Sequence, residues 1–357
     1  MRAKEHNTEI GFKGAFYNPK MEINRDLLSA FAGACRAKTF CDGHSATGIK
    51  AIRVIMENDL VESADAVDIS ARACEIAHEN IVLNNAKGIS VINADIRHVL
   101  LDRNYDLVEI DPFGTPAPYI WALSESCMRR RTGHFSITAT DTAVLCGAEQ
   151  KACRRGYGSA PLHDEIVHEG ALRILAAHVQ RVLAQNNIAV FPVLSLSHRH
   201  YLKMFFRFER SASKADRNLN GIMHMGYCRK CRHRIYMRTG DSGVCEVCGS
   251  EFTMAGPFWS GLLDDAGIIG KVSEEIAGRG YKNSDEEMKI LAQLEKQNFE
   301  GMCYDLHKVF AGMPIPKTCH TIGALSESGF SASETIYKKW IIRTDAAVQE
   351  IRDAVKK

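Results

Sequence analysis

Between residues 39 and 210, short apolar runs alternate with longer stretches of helical periodicity, and no other feature constrains the fold as strongly. Strand-like runs fall at 39–42, 64–68, 89–93, 105–111, 133–139, 188–194 and 201–208. Helical patterns lie between most of them, as at 47–58, 70–84 and 163–185. Strands joined by crossover helices pair in parallel and are covered on both faces, which predicts a doubly wound α/β sheet. Only residues 195–200 separate the last two runs. That link has no room for a helix, so those two strands are expected to form an antiparallel hairpin.

Polar residues at 211–220 mark a boundary, a cysteine module follows at 227–252, and a glycine-rich join covers 256–270. Beyond the join the chain reads as helical and charged, notably at 284–298 and 333–357. The expected division is therefore 1–210 and 211–357, the second unit being a mixed α+β domain of ordinary size. The 45 Lys and Arg stand against 43 Asp and Glu, a formal charge of +2, so any nucleic-acid surface must be a local patch. No apolar run approaches the ~20 residues of a bilayer helix, and no membrane association is expected. The polar start at 1–9 carries no secretory signature. Of twelve cysteines, four cluster and eight are scattered in mostly apolar contexts. That pattern suits a cytoplasmic protein with one metal site and ordinary buried thiols.

Three strand ends carry polar groups where open α/β sheets bind ligands. The first strand runs into Cys41-Asp42-Gly43-His44-Ser45-Ala46-Thr47-Gly48, a small-residue loop opening a helix. Its glycines are too far apart for a dinucleotide fingerprint. Asp68 ends the second strand, where a carboxylate can accept both hydroxyl protons of a ribose. Asp95 and Ile96 follow the third, an acid and an apolar side chain able to frame an adenine. Each acid alone could equally be a helix N-cap.

The fourth strand leads into Asp111-Pro112-Phe113-Gly114-Thr115-Pro116. Pro112 donates no backbone hydrogen bond and holds Asp111 extended, leaving its carboxylate and the turn carbonyls free to accept. Phe113 offers a stacking face and Gly114 clears space beside it. An acceptor-rich turn with an aromatic ring suits a planar base bearing an exocyclic amine. Such an amine is a poor nucleophile because its lone pair is delocalised into the ring. Acceptors for its N–H groups favour a pyramidal nitrogen aimed at an electrophilic methyl, and Asp111 can take the proton. The bland reading is a turn with Asp111 as a helix cap.

Cys228-x2-Cys231-x13-Cys245-x2-Cys248 has the spacing of a four-thiolate zinc ribbon, with Gly240 to Gly243 as a hairpin turn between its knuckles. Four thiolates leave no open position, so the expected Zn2+ is structural. Arg229, Lys230, Arg232, Arg234 and Arg238 decorate the module as a phosphate-binding candidate; a solvated charged face is the alternative. Arg129 to Arg131 and Lys151 with Arg154 and Arg155 are lesser patches. His307 and other lone histidines read as packing or capping groups.

The turn at Asp111 to Pro116 resembles the catalytic turn of the archaeal-type tRNA guanine-26 N2-dimethyltransferases. The resemblance extends through Phe16-Tyr17-Asn18-Pro19, Asn24-Arg25-Asp26 and Ser45 to Ile49. It continues through Ala139 to Ala143, Tyr157-Gly158, His168 to Gly170, His200-Tyr201, Gly256 to Trp259, Asp305 to His307 and Ile342 to Asp345, nearly the whole chain. It implies a Rossmann-like S-adenosylmethionine-dependent methyltransferase sheet and a C-terminal domain that grips tRNA. By the same resemblance Arg25 would bind the carboxylate end of S-adenosylmethionine, Asp68 its ribose, Asp95 and Ile96 its adenine, and Arg53 would be a further contact. Asp111 and Phe113 would hold guanine. The chain departs from the family pattern at Gly43-His44, Lys50 and Thr115. A DNA amino-methyltransferase acting on adenine N6 or cytosine N4, and a non-catalytic zinc-ribbon RNA-binding protein, stay open as alternatives. The partner expected is tRNA, with no obligate protein partner.

Overall fold

The computed structural model describes residues 1–238 and 241–356. A short antiparallel hairpin, β1 (Arg2–Glu5) and β2 (Thr8–Gly11), precedes helix α1 (Glu22–Ala34). The alternating region then delivers β3 (Thr39–Asp42), α2 (Ile49–Met56), β4 (Ser63–Asp68), α3 (Ala71–Leu83), β5 (Ile89–Asn93) and α4 (Ile96–Asp102). It continues through β6 (Leu107–Ile110), α5 (Ile120–Met128), β7 (Thr132–Ala139), α6 (Thr142–Leu145), α7 (Gln150–Tyr157) and α8 (Val167–Ala184). The strands β8 (Ile188–His198) and β9 (Tyr201–Arg210) complete it.

These strands form one seven-stranded sheet in the order β5-β4-β3-β6-β7-β9-β8. Strands β3 to β7 pair in parallel, and β9 runs antiparallel to both β7 and β8. The expected fold class and terminal hairpin are therefore present. The hairpin link is tighter than expected. β8 extends to His198, so only Arg199 and His200 form the turn, with Arg199 at φ 51°. A register shift between Pro192 and Leu194 keeps β8 paired along its length. Because alternate residues of a strand face opposite sides, β9 builds both cores. Phe206 stacks on Phe135 at 5.0 Å, while Phe205 meets Phe31 of α1 at 4.5 Å.

After the sheet come α9 (Ala212–Asn220), β10 (Ile222–Tyr227), β11 (Arg234–Met237) and β12 (Thr253–Trp259), the strands forming an antiparallel sheet in the order β11-β10-β12. Helices α10 (Ala266–Arg279) and α11 (Ser284–Lys296) follow. The last segment contains β13 (Met302–Asp305), α12 (Leu306–Val309), α13 (Thr318–Glu327), β14 (Ala332–Glu334), β15 (Ile341–Thr344) and α14 (Val348–Ala354). The helix read at 333–357 is thus two strands and one short helix. All four residues of β15 are buried between β13 and β14, so its charge pattern marks no solvent face. Gly240, part of the expected turn in the cysteine module, lies outside the described residues, as does Lys357.

The C-terminal segments return to the first sheet. Ile269, Val272 and Ile276 of α10 share a core with Leu27 and Phe31 of α1. Arg279 donates to Ser29 at 2.9 Å and to Asn58 at 2.7 Å, and Tyr281 donates to Glu57 at 2.5 Å. Arg234 does not join a surface patch. It is fully buried and pairs with Glu165 at 2.5 Å, while Arg343 and Arg173 share Glu169.

Candidate active site

The sheet changes direction of growth between β3 and β6, the place where open α/β folds carry ligands. On the β3 side the turn is tight. Gly43 N–H donates to the Glu109 carbonyl at 3.0 Å, and a Cβ on Gly43 would lie 2.8 Å from that oxygen and 2.9 Å from Ile96. No other residue fits without moving β6. Asp68 spans the next gap, accepting from Ala46 N–H at 2.8 Å and Ser70 N–H at 2.9 Å, and remains partly exposed. Asp95 caps α4 through Arg97 N–H at 2.9 Å. The hydrogen bond from the Arg97 side chain holds its carboxyl below the ordinary value. Ile96 is buried and packs toward Gly43. The cap reading of Asp95 is therefore correct locally; it leaves the second role open, since a capping carboxylate keeps further lone pairs.

Arg25 and Arg53 sit lower in the site. Arg25 is buried, gripped by Glu5 and donating to the Asn18 carbonyl at 3.0 Å. Arg53 is 1 % exposed and is ringed by Asp26 at 2.6 Å, Glu57 at 2.7 Å and Glu5 at 3.3 Å. Three carboxylates surround the Arg53 guanidinium, which fixes Glu5 beneath Arg25.

On the β6 side, Asp111 is partly exposed at its carboxylate, which pairs with the Lys50 ammonium. Lys50 also donates to Glu109 at 3.1 Å, and Glu109 receives Lys203 at 2.6 Å through both oxygens. Ser136 and Thr138 of β7 complete the shell around Glu109. Burial alone would raise Glu109, but Lys203 and Lys50 outweigh it and hold the carboxyl below the ordinary carboxylate range. The same burial pulls Lys203 below its usual value. Beside this chain stands Asp42, wholly buried with neither oxygen hydrogen-bonded. Burial pushes it up to about 7 despite the nearby Lys50 charge. Burial likewise lowers His44 to about 4. Its Nδ1 accepts the Asp111 N–H at 3.3 Å, so the neutral ring carries its proton on Nε2.

The turn beyond Asp111 is held from behind. Gly114 adopts φ +85°, a conformation glycine takes without strain, and exchanges bonds with Thr140 at 2.8 and 3.0 Å. Thr115 bonds Tyr157 at 2.8 Å, and Tyr157 donates to Asp141 at 2.9 Å. Phe113 is left 78 % exposed, and Phe16, 53 % exposed, meets it edge-on at 4.7 Å. The Phe113 ring, braced edge-on by Phe16, leaves an exposed apolar face two residues beyond Asp111, of the kind on which a planar base stacks.

Sequence reasoning named the turn but not its surroundings. Asp42, His44, Lys50 and Phe16 were visible in their segments, but their contacts, and any part for Glu109 and Lys203, emerge only in three dimensions. The readable signal was a charge inside each of two apolar strands, Glu109 in β6 and Lys203 in β9.

In the cysteine module, the four sulfurs of Cys228, Cys231, Cys245 and Cys248 lie within 4.8 Å of one another. The Cys228–Cys248 and Cys231–Cys245 separations are 3.4 and 3.6 Å. Tetrahedral zinc with Zn–S bonds of ~2.3 Å needs sulfurs roughly 3.8 Å apart, so the donor set fits that ion. Each pair sits on a matching turn, Arg232 N–H to Cys228 carbonyl at 2.9 Å and Gly249 N–H to Cys245 carbonyl at 2.8 Å.

The chain is similar to known proteins along nearly its whole length. A profile of the N2,N2-dimethylguanosine tRNA methyltransferase family matches residues 2–356. A tRNA (guanine(26)-N(2))-dimethyltransferase of Methanothermobacter thermautotrophicus is 34% identical over 354 residues, covering 95% of this chain and 92% of that protein. A tRNA (guanine(26)-N(2)/guanine(27)-N(2))-dimethyltransferase of Aquifex aeolicus is 37% identical over 294 residues, 79% of this chain and 74% of that one. The solved Trm1 of Pyrococcus horikoshii, in complex with S-adenosyl-L-methionine, superposes with a TM-score of 0.91 at 26% identity over 99% of both chains. The chain therefore belongs to the N2,N2-dimethylguanosine tRNA methyltransferase family.

Proposed function

We propose that this enzyme moves one or two methyl groups from S-adenosylmethionine to the exocyclic N2 of guanine 26 in tRNA, with Asp111 as the acceptor that orients that nitrogen. Family membership over the whole chain carries the reaction class and sets aside both the DNA amino-methyltransferase and the non-catalytic RNA-binding reading. For the role of Asp111, the carrying observation is a partly exposed carboxylate two residues before the exposed Phe113 ring, in the turn that leaves β6 at the sheet crevice.

When bound, S-adenosylmethionine supplies an electrophilic methyl on a sulfonium. The residues available to hold it fit. Asp68 retains acceptor capacity for a ribose, Asp95 and Ile96 flank the adenine position, and Arg25 lies by the amino-acid end. Asp42, buried without a partner, suits the α-amino group. Arg53 is assigned the task of holding Glu5 under Arg25 rather than direct contact. Phe113 offers its exposed face to the guanine ring, with Phe16 braced edge-on against it. Asp111 accepts an N2 hydrogen, aims the lone pair and holds the proton released as the methyl arrives. Lys50 pairs with that carboxylate and holds it in place. A guanine inside folded tRNA must be extruded to enter this slot.

We also assign a structural zinc to the four cysteines, divide the chain at residues 210 and 211, and place it in the cytoplasm without an obligate protein partner. No helix among the described residues is long and apolar enough to cross a membrane. The test is incubation with labelled methyl donor and either unmodified tRNA or duplex DNA, followed by mass spectrometry of the nucleosides. Methylated guanosine from tRNA alone is expected. Asp111→Ala should keep donor binding and lose turnover; an unchanged rate would refute its role.

A further inference from the structure

The C-terminal segment carries an aromatic stack that no catalytic step uses. His307, opening α12, stacks on Trp340 at 5.1 Å with ring planes 16° apart, and both residues are exposed. The backbone fixes the pair, because Leu306 N–H donates to the Trp340 carbonyl at 3.0 Å and Thr318 ties the Lys339 carbonyl at 2.9 Å. A single exposed ring is ordinary on a protein surface; what sets this pair apart is that two planar rings are held parallel at a fixed spacing and both reach solvent.

Cations surround it. The Lys338 ammonium lies 5.6 Å from the Trp340 ring centre, and Lys339 is exposed beside it. Lys308, next to His307, pairs with Asp164. The same Asp164 holds Arg229 at 3.6 Å and Arg232 at 3.5 Å from the cysteine module. One carboxylate therefore gathers three cations from two parts of the chain and leaves the cluster net positive. Asp164 precedes α8, seven residues after the Tyr157 that braces the catalytic turn. Stack, ribbon arginines and catalytic turn are linked through this one segment.

We propose that the His307–Trp340 stack is a platform for an unpaired nucleotide of the tRNA substrate, flanked by Lys338, Lys339, Arg229 and Arg232 as phosphate contacts. This deepens the tRNA reading and rests on it. Every nucleobase has a π face, so a base extends the stack at an open end, on His307 or on Trp340 in place of the flexible Lys338 side chain. Paired bases are already stacked within their helix, so the platform distinguishes unpaired from duplex RNA.

The test is filter binding of the full-length protein to an unmodified tRNA transcript and to a blunt RNA duplex, with donor binding measured by calorimetry. Trp340→Ala should weaken tRNA binding about tenfold or more. Trp340→Phe, which keeps a ring, should lose less than about threefold, while His307→Ala behaves like Trp340→Ala. Blunt duplex should bind wild type and Trp340→Ala within about twofold, and Lys338→Glu should reduce the salt slope by about one. Wild-type tRNA affinity in both Trp340→Ala and His307→Ala, or an equal loss on tRNA and duplex, overturns the platform. Methylation of the transcript by the wild-type preparation is scored in parallel, so failure of the tRNA reading itself would appear there and not in the variants.

Discussion

Asp111 stands at the end of a buried relay of alternating charge, Lys203 to Glu109 to Lys50, and its neighbours decide how it behaves. Removing Lys50 leaves Asp111 without its counter-ion and frees its side chain from the position proposed above for receiving the base. Lys50→Met is expected to lower kcat by about tenfold or more while changing donor affinity little, and Lys50→Arg, which keeps the charge, to restore most of it. Single-turnover kinetics with saturating donor would measure both. Asp42 gives a pH prediction. Its folded value of about 7 lies above the ordinary 3.8, so the folded state binds the proton more tightly. Its contribution to stability is full below about pH 4 and is lost as pH rises toward 7. Asp42→Asn should remove that decline, an upper figure of about 4 kcal/mol at pH 8 in donor-free protein, and should weaken donor binding. Denaturant titrations at pH 5 and pH 8 read the first effect and calorimetry the second; equal slopes in variant and wild type would remove Asp42 from the account.

At the scale of elements, the apolar runs named the strands with small errors because a parallel strand buried on both faces has no polar alternation to confuse the reading. β3 falls at the expected residues, and so does β5 although it is an edge strand with no fully buried residue, whereas β8 overran its expected end because Ser195, Ser197 and His198 pair with β9 despite being polar. The segment 333–357 was misread for the opposite reason: Arg343 looks like a solvent residue in sequence but is buried against Glu169. The β1–β2 hairpin was not legible at all. Its strands are four residues each and mostly polar, and its importance, delivering Glu5 to Arg25 and Arg53, depends on contacts with distant helices. The β3 loop offers a direct check on element packing. Gly43→Ala drives a methyl group into the Glu109 carbonyl and Ile96, so a loss of about 1–3 kcal/mol in stability is expected, together with weaker donor binding. Thermal unfolding with and without the methyl donor would detect both.

For the whole molecule, the cysteine spacing was fully legible, because a four-thiolate ribbon imposes its ligand intervals on the sequence directly. Its surroundings were not: Arg234 looked like part of a cationic face and instead closes a buried contact with Glu165. Arg234→Ala leaves that carboxylate without its buried partner and should cost about 3–5 kcal/mol. Chelation is expected to lower the melting temperature and tRNA affinity while leaving donor affinity within about twofold, since the ribbon lies outside the crevice; equal loss of both affinities would argue against a purely structural metal. The ties from Arg279 to Ser29 and Asn58, from Tyr281 to Glu57 and from Arg343 to Glu169 bind the C-terminal segments to α1, the end of α2 and α8 at several separate points. With the C-terminal segments as the RNA grip proposed above, a body clamped in this way works as a fixed gauge: the span from grip to reacting atom is set by protein, and the substrate must match it. Selection of one guanine is then partly a measurement of length, and lengthening the RNA by one base pair between the gripped part and the target should bring the neighbouring nucleotide to the mark.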